Sequence, residues 1–177
     1  MIGIDIVDHR DSLLRKRDER AFRLIRHPAD TYDFHGMSIE NLFWLFWAAK
    51  ESIYKAKRQL IRFDPKKIQV SLIYSENKYR FESDEIKGEV FQKPKYTLAI
   101  CGKMDLERTM YEIFESNTND QSLQIRAQMI NHIESKTGFT AENDVDQSGL
   151  PTVRFNNKSH LATFTHHHQL MGYICEA

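Results

Sequence analysis

The chain has 177 residues, 25 basic side chains against 25 acidic ones, and 41% hydrophobic residues. That length holds one domain with a substantial core and is short for two, and the balanced charge excludes a global field that would gather nucleic acid or an anionic membrane. Cys101 and Cys175 lack metal-ligand spacing and form no disulfide framework, so a reducing cytoplasm is the expected setting.

The N-terminal stretch MIGIDIVDHRD carries Asp5 and Asp8 where an export signal needs an unbroken apolar run, and no run of about 18 apolar residues follows. Neither export nor a membrane span is expected. Residues 2–7 alternate as a strand, with Ile2, Ile4 and Ile6 on one face and Gly3, Asp5 and Val7 on the other. Residues 11–26 are predicted as a helix with Leu14, Ala21 and Ile25 on one stripe. After the turn-rich HPADTYDFHG, Ser38 offers an N-cap and Glu40 a first-turn acid for a helix running to about residue 60. KIQVSLIYS, KYRFES, GEVFQK and KYTLAICG then read as an antiparallel meander, and TMYEIFES offers a further strand. Residues 121–136 place Leu123, Ala127, Ile130 and Ile133 at helical spacing, with Gly138 closing the segment. The polar AENDVDQSGLP is expected as a loop leading to three short C-terminal strands; 161–165 and 170–176 form a hairpin with three histidines at its turn. No internal repeat is visible. The order predicts an α+β fold, a mainly antiparallel sheet packed against helices.

Chemistry concentrates at two places. On the second helix Trp44, Trp47, Ala48, Glu51, Lys55 and Arg58 recur at three- and four-residue steps, so Glu51 and Lys55 lie one turn apart. That pair reads either as an exposed ion pair contributing about 0.2–0.5 kcal/mol or as part of a site. The second reading draws on Asp5, a carboxylate inside an apolar strand, where burial requires compensation. A divalent cation supplies it. Magnesium takes one or two protein carboxylates and completes its shell with water and phosphate oxygens, so Asp5 and Glu51 are candidate ligands and Lys55 would face a phosphate. Of the histidines, His167 and His168 read as solvated turn residues, and His166, at the strand end, is the better functional candidate.

These pieces, in this order, resemble the 4'-phosphopantetheinyl transferase superfamily, to which holo-acyl carrier protein synthase belongs. GIDIVD (residues 3–8) is similar to the family's first motif and maps its metal-binding aspartate to Asp5. WAAKESIYK (residues 47–55) is similar to the second and maps Lys50, Glu51 and Lys55; GLP (149–151) and ATFTH (162–166) resemble two later motifs of the smaller synthases. The chain departs from the pattern at Phe46, where the small type carries arginine, and at Val7, where the larger type often carries a third acid. It departs again at Leu150, the usual lysine between glycine and proline, and Arg10 stands one residue short of a small-type arginine. Two side-chain ligands plus water are therefore expected for the ion.

The resemblance implies a single domain over 1–177 with an insertion at about 75–148. It implies magnesium-dependent transfer of 4'-phosphopantetheine from coenzyme A to a serine of an acyl or peptidyl carrier protein, as in fatty acid biosynthesis, releasing adenosine 3',5'-bisphosphate. Asp5, Glu51 and Lys55 would be catalytic, and Lys50, Lys55 and His166 would contact the coenzyme. Residues 10–26 hold seven bases against three acids, and Arg10, Arg17 and Arg20 are candidates for docking an acidic carrier. One copy of each motif favours a homo-oligomer, as in the trimeric small synthases. The alternatives are a catalytically inactive module binding carrier or coenzyme A on the same scaffold, nucleic-acid binding through the arginine-rich segment, and a metal-dependent phosphohydrolase.

Overall fold

β1 (Ile2–Asp8) is buried along its whole length, and its alternation explains how. A computed structural model describes residues 1–58, 62–103, 106–116 and 120–176. Ile2, Ile4 and Ile6 pack with Leu98, Ile100, Leu170 and Ile174 in a seam between two sheets. Gly3 and Val7 face the second long segment of the core, against α2 (Ile39–Ala56). Glycine is required at position 3, because a Cβ there would lie 2.0 Å from the Ser52 carbonyl oxygen.

The other strands are β2 (Thr31–Tyr32), β3 (Ser71–Ser75), β4 (Lys78–Ser83), β5 (Ile86–Gln92), β6 (Tyr96–Gly102), β7 (Thr109–Glu115), β8 (Glu142–Val145), β9 (Pro151–Phe155), β10 (Lys158–His167) and β11 (Leu170–Glu176). The first sheet runs β1-β6-β5-β4-β3-β2 and the second β7-β11-β10-β9-β8. All ladders are antiparallel except the short β2–β3 pair. The first sheet packs on α1 (Glu19–Ile25) and α2, and the second on α3 (Gln121–Thr137), giving an apolar cluster on each helical side. This is the expected α+β class.

β1 is the outer strand of its sheet, and the second sheet satisfies its open edge with side chains. The Lys103 N–H donates to Met1 O, and the His9 N–H to Lys95 O, so odd positions bond toward β6 and even ones face outward. There Thr163 Oγ1 donates to Ile2 O at 3.1 Å. The Ile6 N–H donates to Thr165 Oγ1 at 3.2 Å, and the Asp8 N–H to His167 Nδ1 at 3.0 Å.

Several boundaries differ from expectation. The helix predicted over 11–26 is helical only at α1. Asp18 caps it by accepting from the Ala21 N–H, and the Asp11 carboxylate accepts from the Leu13 N–H, which favours a turn upstream. The second helix begins at the predicted Ser38 cap but ends at Ala56, with Arg58 in the left-handed region at φ 50°; its expected last residues, 59 and 60, lie outside the described residues. The loops expected at 27–36 and 141–151 contain β2 and β8, edge strands too short and polar to show a period. Residues 75–148, expected as an insertion, supply β4 to β6 of the first sheet and β7, α3 and β8 of the second half.

Lys50 ties the first half together. Its ammonium, fully buried, donates to Asp30 Oδ2 at 2.6 Å, Ile25 O at 2.9 Å and Pro65 O at 3.0 Å. Asp30 also accepts from the His27 and Val70 N–H groups. Lys50→Met strands a buried carboxylate and is expected to lower stability by about 3–5 kcal/mol. Adding Asp30→Leu returns part of the loss; urea unfolding measures both.

Candidate active site

Three elements converge on Asp5. β1 places its carboxylate at the seam, 3% exposed. α2 directs Glu51 and Lys55 at it, and β10 brings Thr165 from the other half of the chain. Lys55 Nζ donates to Asp5 Oδ1 at 2.8 Å and to Thr165 Oγ1 at 3.2 Å, and lies 3.5 Å from Glu51 Oε1. The Thr165 hydroxyl, already accepting from Ile6, donates to Asp5 Oδ1 at 3.3 Å. Asp5 Oδ2 is sequestered and has no hydrogen-bond partner among the described residues. Burial pushes the Asp5 pKa up to about 7, against the pull of the Lys55 ammonium and together with the repulsion from Glu51. Burial lowers the Lys55 pKa, but its two carboxylate neighbours outweigh that and raise it.

A second cluster adjoins the first at the end of β1. Asp8, fully buried, takes three hydrogen bonds from Arg10, whose guanidinium also reaches Glu115 at 2.7 Å on β7. Burial works against ionising Asp8, but the Arg10 bonds prevail and hold its carboxyl below the usual range. His167, half-buried, joins this cluster through the Asp8 N–H, with Nε2 3.7 Å from Asp11.

Other expected site residues are placed differently. His166 is exposed on the opposite face of β10, because neighbouring strand residues point to opposite sides; His167 is the imidazole that faces β1. Counting by two from Thr165 reveals this, but reading the histidines as turn residues conceals it. Lys50 does not reach the cluster, since all its bonds are spent on Asp30 and two carbonyls. Arg17 lies over Phe43 and Trp44, 5.0 and 5.1 Å from their ring centres, whereas Arg20 is exposed. Phe46 is fully buried against Phe22.

Beside Lys55 a cavity of about 230 Å³ opens between the end of α2 and the β9–β10 face, lined by Tyr54, Arg58, Leu150, Pro151 and Phe164 among others. Arg58, whose role was not legible in the sequence, is anchored there by Asp146 at 2.8 Å and by the Pro151 carbonyl. Two cations and an apolar wall suit an anionic ligand with an uncharged arm.

Among the described residues no three His, Cys, Asp or Glu side chains gather as a cation cage. The donors at the cluster are all oxygens, and two are carboxylates, which suits a hard cation completed by water and ligand oxygens. No helix among the described residues is long and apolar enough to cross a membrane. The family model described as the 4'-phosphopantetheinyl transferase superfamily matches residues 1–101, a span that contains Asp5, Glu51 and Lys55 and stops before Thr165 and His167. No curated protein and no solved structure matches the chain.

Thr165→Val keeps the shape but leaves the Ile6 N–H without a partner and removes one of the two hydrogen bonds to Asp5 Oδ1. It is expected to cost about 1–3 kcal/mol, with Thr165→Ser close to the unsubstituted protein in urea unfolding.

Proposed function

The chain belongs to the 4'-phosphopantetheinyl transferase superfamily, and from that premise we propose that it moves 4'-phosphopantetheine from coenzyme A to a serine hydroxyl of an acidic acyl or peptidyl carrier protein. The observation that carries this reading is the buried Asp5 carboxylate, one oxygen unpartnered, facing Glu51 and Lys55 beside a cationic cavity.

In this reaction the serine oxygen bonds to the β-phosphorus of the pyrophosphate, and the bridging P–O bond breaks to release adenosine 3',5'-bisphosphate. Alignment and charge neutralisation carry most of the rate enhancement in such transfers. Glu51, about a quarter exposed, accepts the serine proton directly or through water. Lys55 neutralises charge on the pyrophosphate. Arg58 lines the same cavity as Leu150 and restores a basic group where the family's usual lysine is missing. Thr165 and His167 hold β1 in place.

The unpartnered Asp5 oxygen and the oxygen-only donor set fit magnesium, which Asp5 and Glu51 would hold with water. When bound, the ion supplies Lewis-acid polarisation and charge neutralisation at the pyrophosphate.

Asp5 and Thr165 belong to the two halves of one chain, so we read the protein as one domain complete as a monomer, in place of the expected oligomer. The carrier docks on the exposed Arg15, Lys16 and Arg20, near Leu13 and Leu24, which are also exposed. Arg10 and Arg17 are engaged within the fold. The free, buried Cys101 and Cys175 suit a reducing cytoplasm.

Incubation of an acidic carrier protein with coenzyme A and magnesium is expected to add one phosphopantetheine mass to the carrier, at a specific activity that does not change on dilution. Asp5→Asn and Glu51→Gln each reduce the rate by about 10²-fold or more while the protein stays folded. Coenzyme binding without mass gain would instead identify an inactive binding module. A separate kinetic check concerns docking: Arg20→Glu raises KM for the carrier, most strongly at low salt, and leaves KM for coenzyme A unchanged.

A further inference from the structure

The Lys55 ammonium contacts three oxygens, Asp5 Oδ1 at 2.8 Å, Thr165 Oγ1 at 3.2 Å and Glu51 Oε1 at 3.5 Å. Two of these groups are the carboxylates assigned above to a divalent cation. The same side chain lines the cavity that Arg58 makes cationic. Lysine is a point charge on a flexible four-carbon stem, so one residue can serve both places by rotating about that stem. It cannot serve the first while a dication occupies it, because like charges this close in a partly buried site repel strongly.

We propose that Lys55 is a resident counter-ion that exchanges places with the metal. In the closed arrangement its ammonium compensates Asp5 and Glu51. A divalent cation takes the carboxylates only when the ammonium swings into the cavity, and a phosphate in the cavity draws it there. Metal and pyrophosphate ligand therefore favour each other through the position of Lys55, in addition to any direct contact between them. Tyr54, Phe164 and Pro151 line the same cavity as Lys55, so the swing moves its methylene groups along an apolar wall. Thr165, fixed by the Ile6 N–H, holds Asp5 Oδ1 in either arrangement. This inference rests on the metal assignment proposed above.

Manganese binding, followed by electron paramagnetic resonance in the absence of coenzyme, separates the two ideas. Asp5→Asn is expected to abolish the site. Lys55→Gln, which keeps a hydrogen-bonding side chain without charge, is expected to tighten manganese binding by roughly tenfold, within the ordinary range of coupling between sites. It also reduces the further tightening that coenzyme A produces. Arg58→Gln, a nearby charge that touches neither carboxylate, leaves manganese affinity in the free protein almost unchanged. In the unsubstituted protein, saturating magnesium raises the rate at which an amine-acylating reagent labels Lys55, measured by peptide mass spectrometry; this arm needs no variant to fold. Manganese binding that is lost in Asp5→Asn but unimproved in Lys55→Gln, or labelling unchanged by magnesium, overturns the exchange and leaves the metal assignment standing. Manganese binding unaffected by Asp5→Asn overturns both. Equal tightening in Lys55→Gln and Arg58→Gln reduces the effect to general electrostatics and also refutes the exchange.

Discussion

The open edge of β1 is the constraint on which the rest of the molecule depends. An outer strand buried against another sheet must satisfy its N–H and C=O groups without a ladder partner. Thr163, Thr165 and His167 satisfy three of them from β10, and a period of two sets their spacing. The two halves are thus joined by polar bonds directed at backbone atoms, flanked by the seam of Ile2, Ile4 and Ile6. Asp5 sits inside this junction, so the geometry that assembles the halves also determines where its carboxylate points. A chemical site at the seam inherits that rigidity.

The halves have the same architecture and opposite electrostatic solutions. Strand order β1-β6-β5-β4-β3 is repeated as β7-β11-β10-β9-β8, with a long helix, α2 or α3, within each half. Asp5 is central in β1 and lies opposite Ala99; Glu112 is central in β7 and lies opposite Tyr173. The small Ala99 leaves the first carboxylate to be met from α2 and β10. In the second half the buried Tyr173 phenol donates to Glu112 at 3.0 Å and touches His132 of α3. Burial, then the Glu112 carboxylate, pushes the Tyr173 pKa up, so the phenol stays neutral and fills the place. One half thus holds a compensated charge able to exchange partners, and the other a closed hydrogen-bonded clasp. The duplication leaves no trace as a sequence repeat because the halves share backbone geometry rather than side chains.

Much of this was legible along the chain. The alternation of β1, the Ser38 cap, the meander and α3 with its left-handed Gly138 are local patterns, each contained within a few residues and set by sterics and periodicity. Asp5 was conspicuous as a carboxylate among isoleucines, and Glu51 and Lys55 followed from helical spacing. The basic residues of 11–26 fit a longer helix equally well, but Asp18 caps α1 at its start and Asp11 accepts from the Leu13 N–H upstream, so the helix begins only at Glu19.

Local patterns along the chain therefore specify the long strands and helices, the α+β class and the acidic and basic groups of the first half, since these depend on neighbours within a turn or a strand pair, whereas the short edge strands β2 and β8 carry no such pattern. Packing between distant segments set which cations, each held by its own carboxylate, face the cavity. Lys50 is consumed by Asp30, Arg10 by Asp8 and Glu115, and Arg17 by two aromatic rings, while Lys55 and Arg58 meet at the cavity. It also chose His167 over His166, because the face a strand residue presents is set by the partner across the seam, more than 150 positions away in the chain.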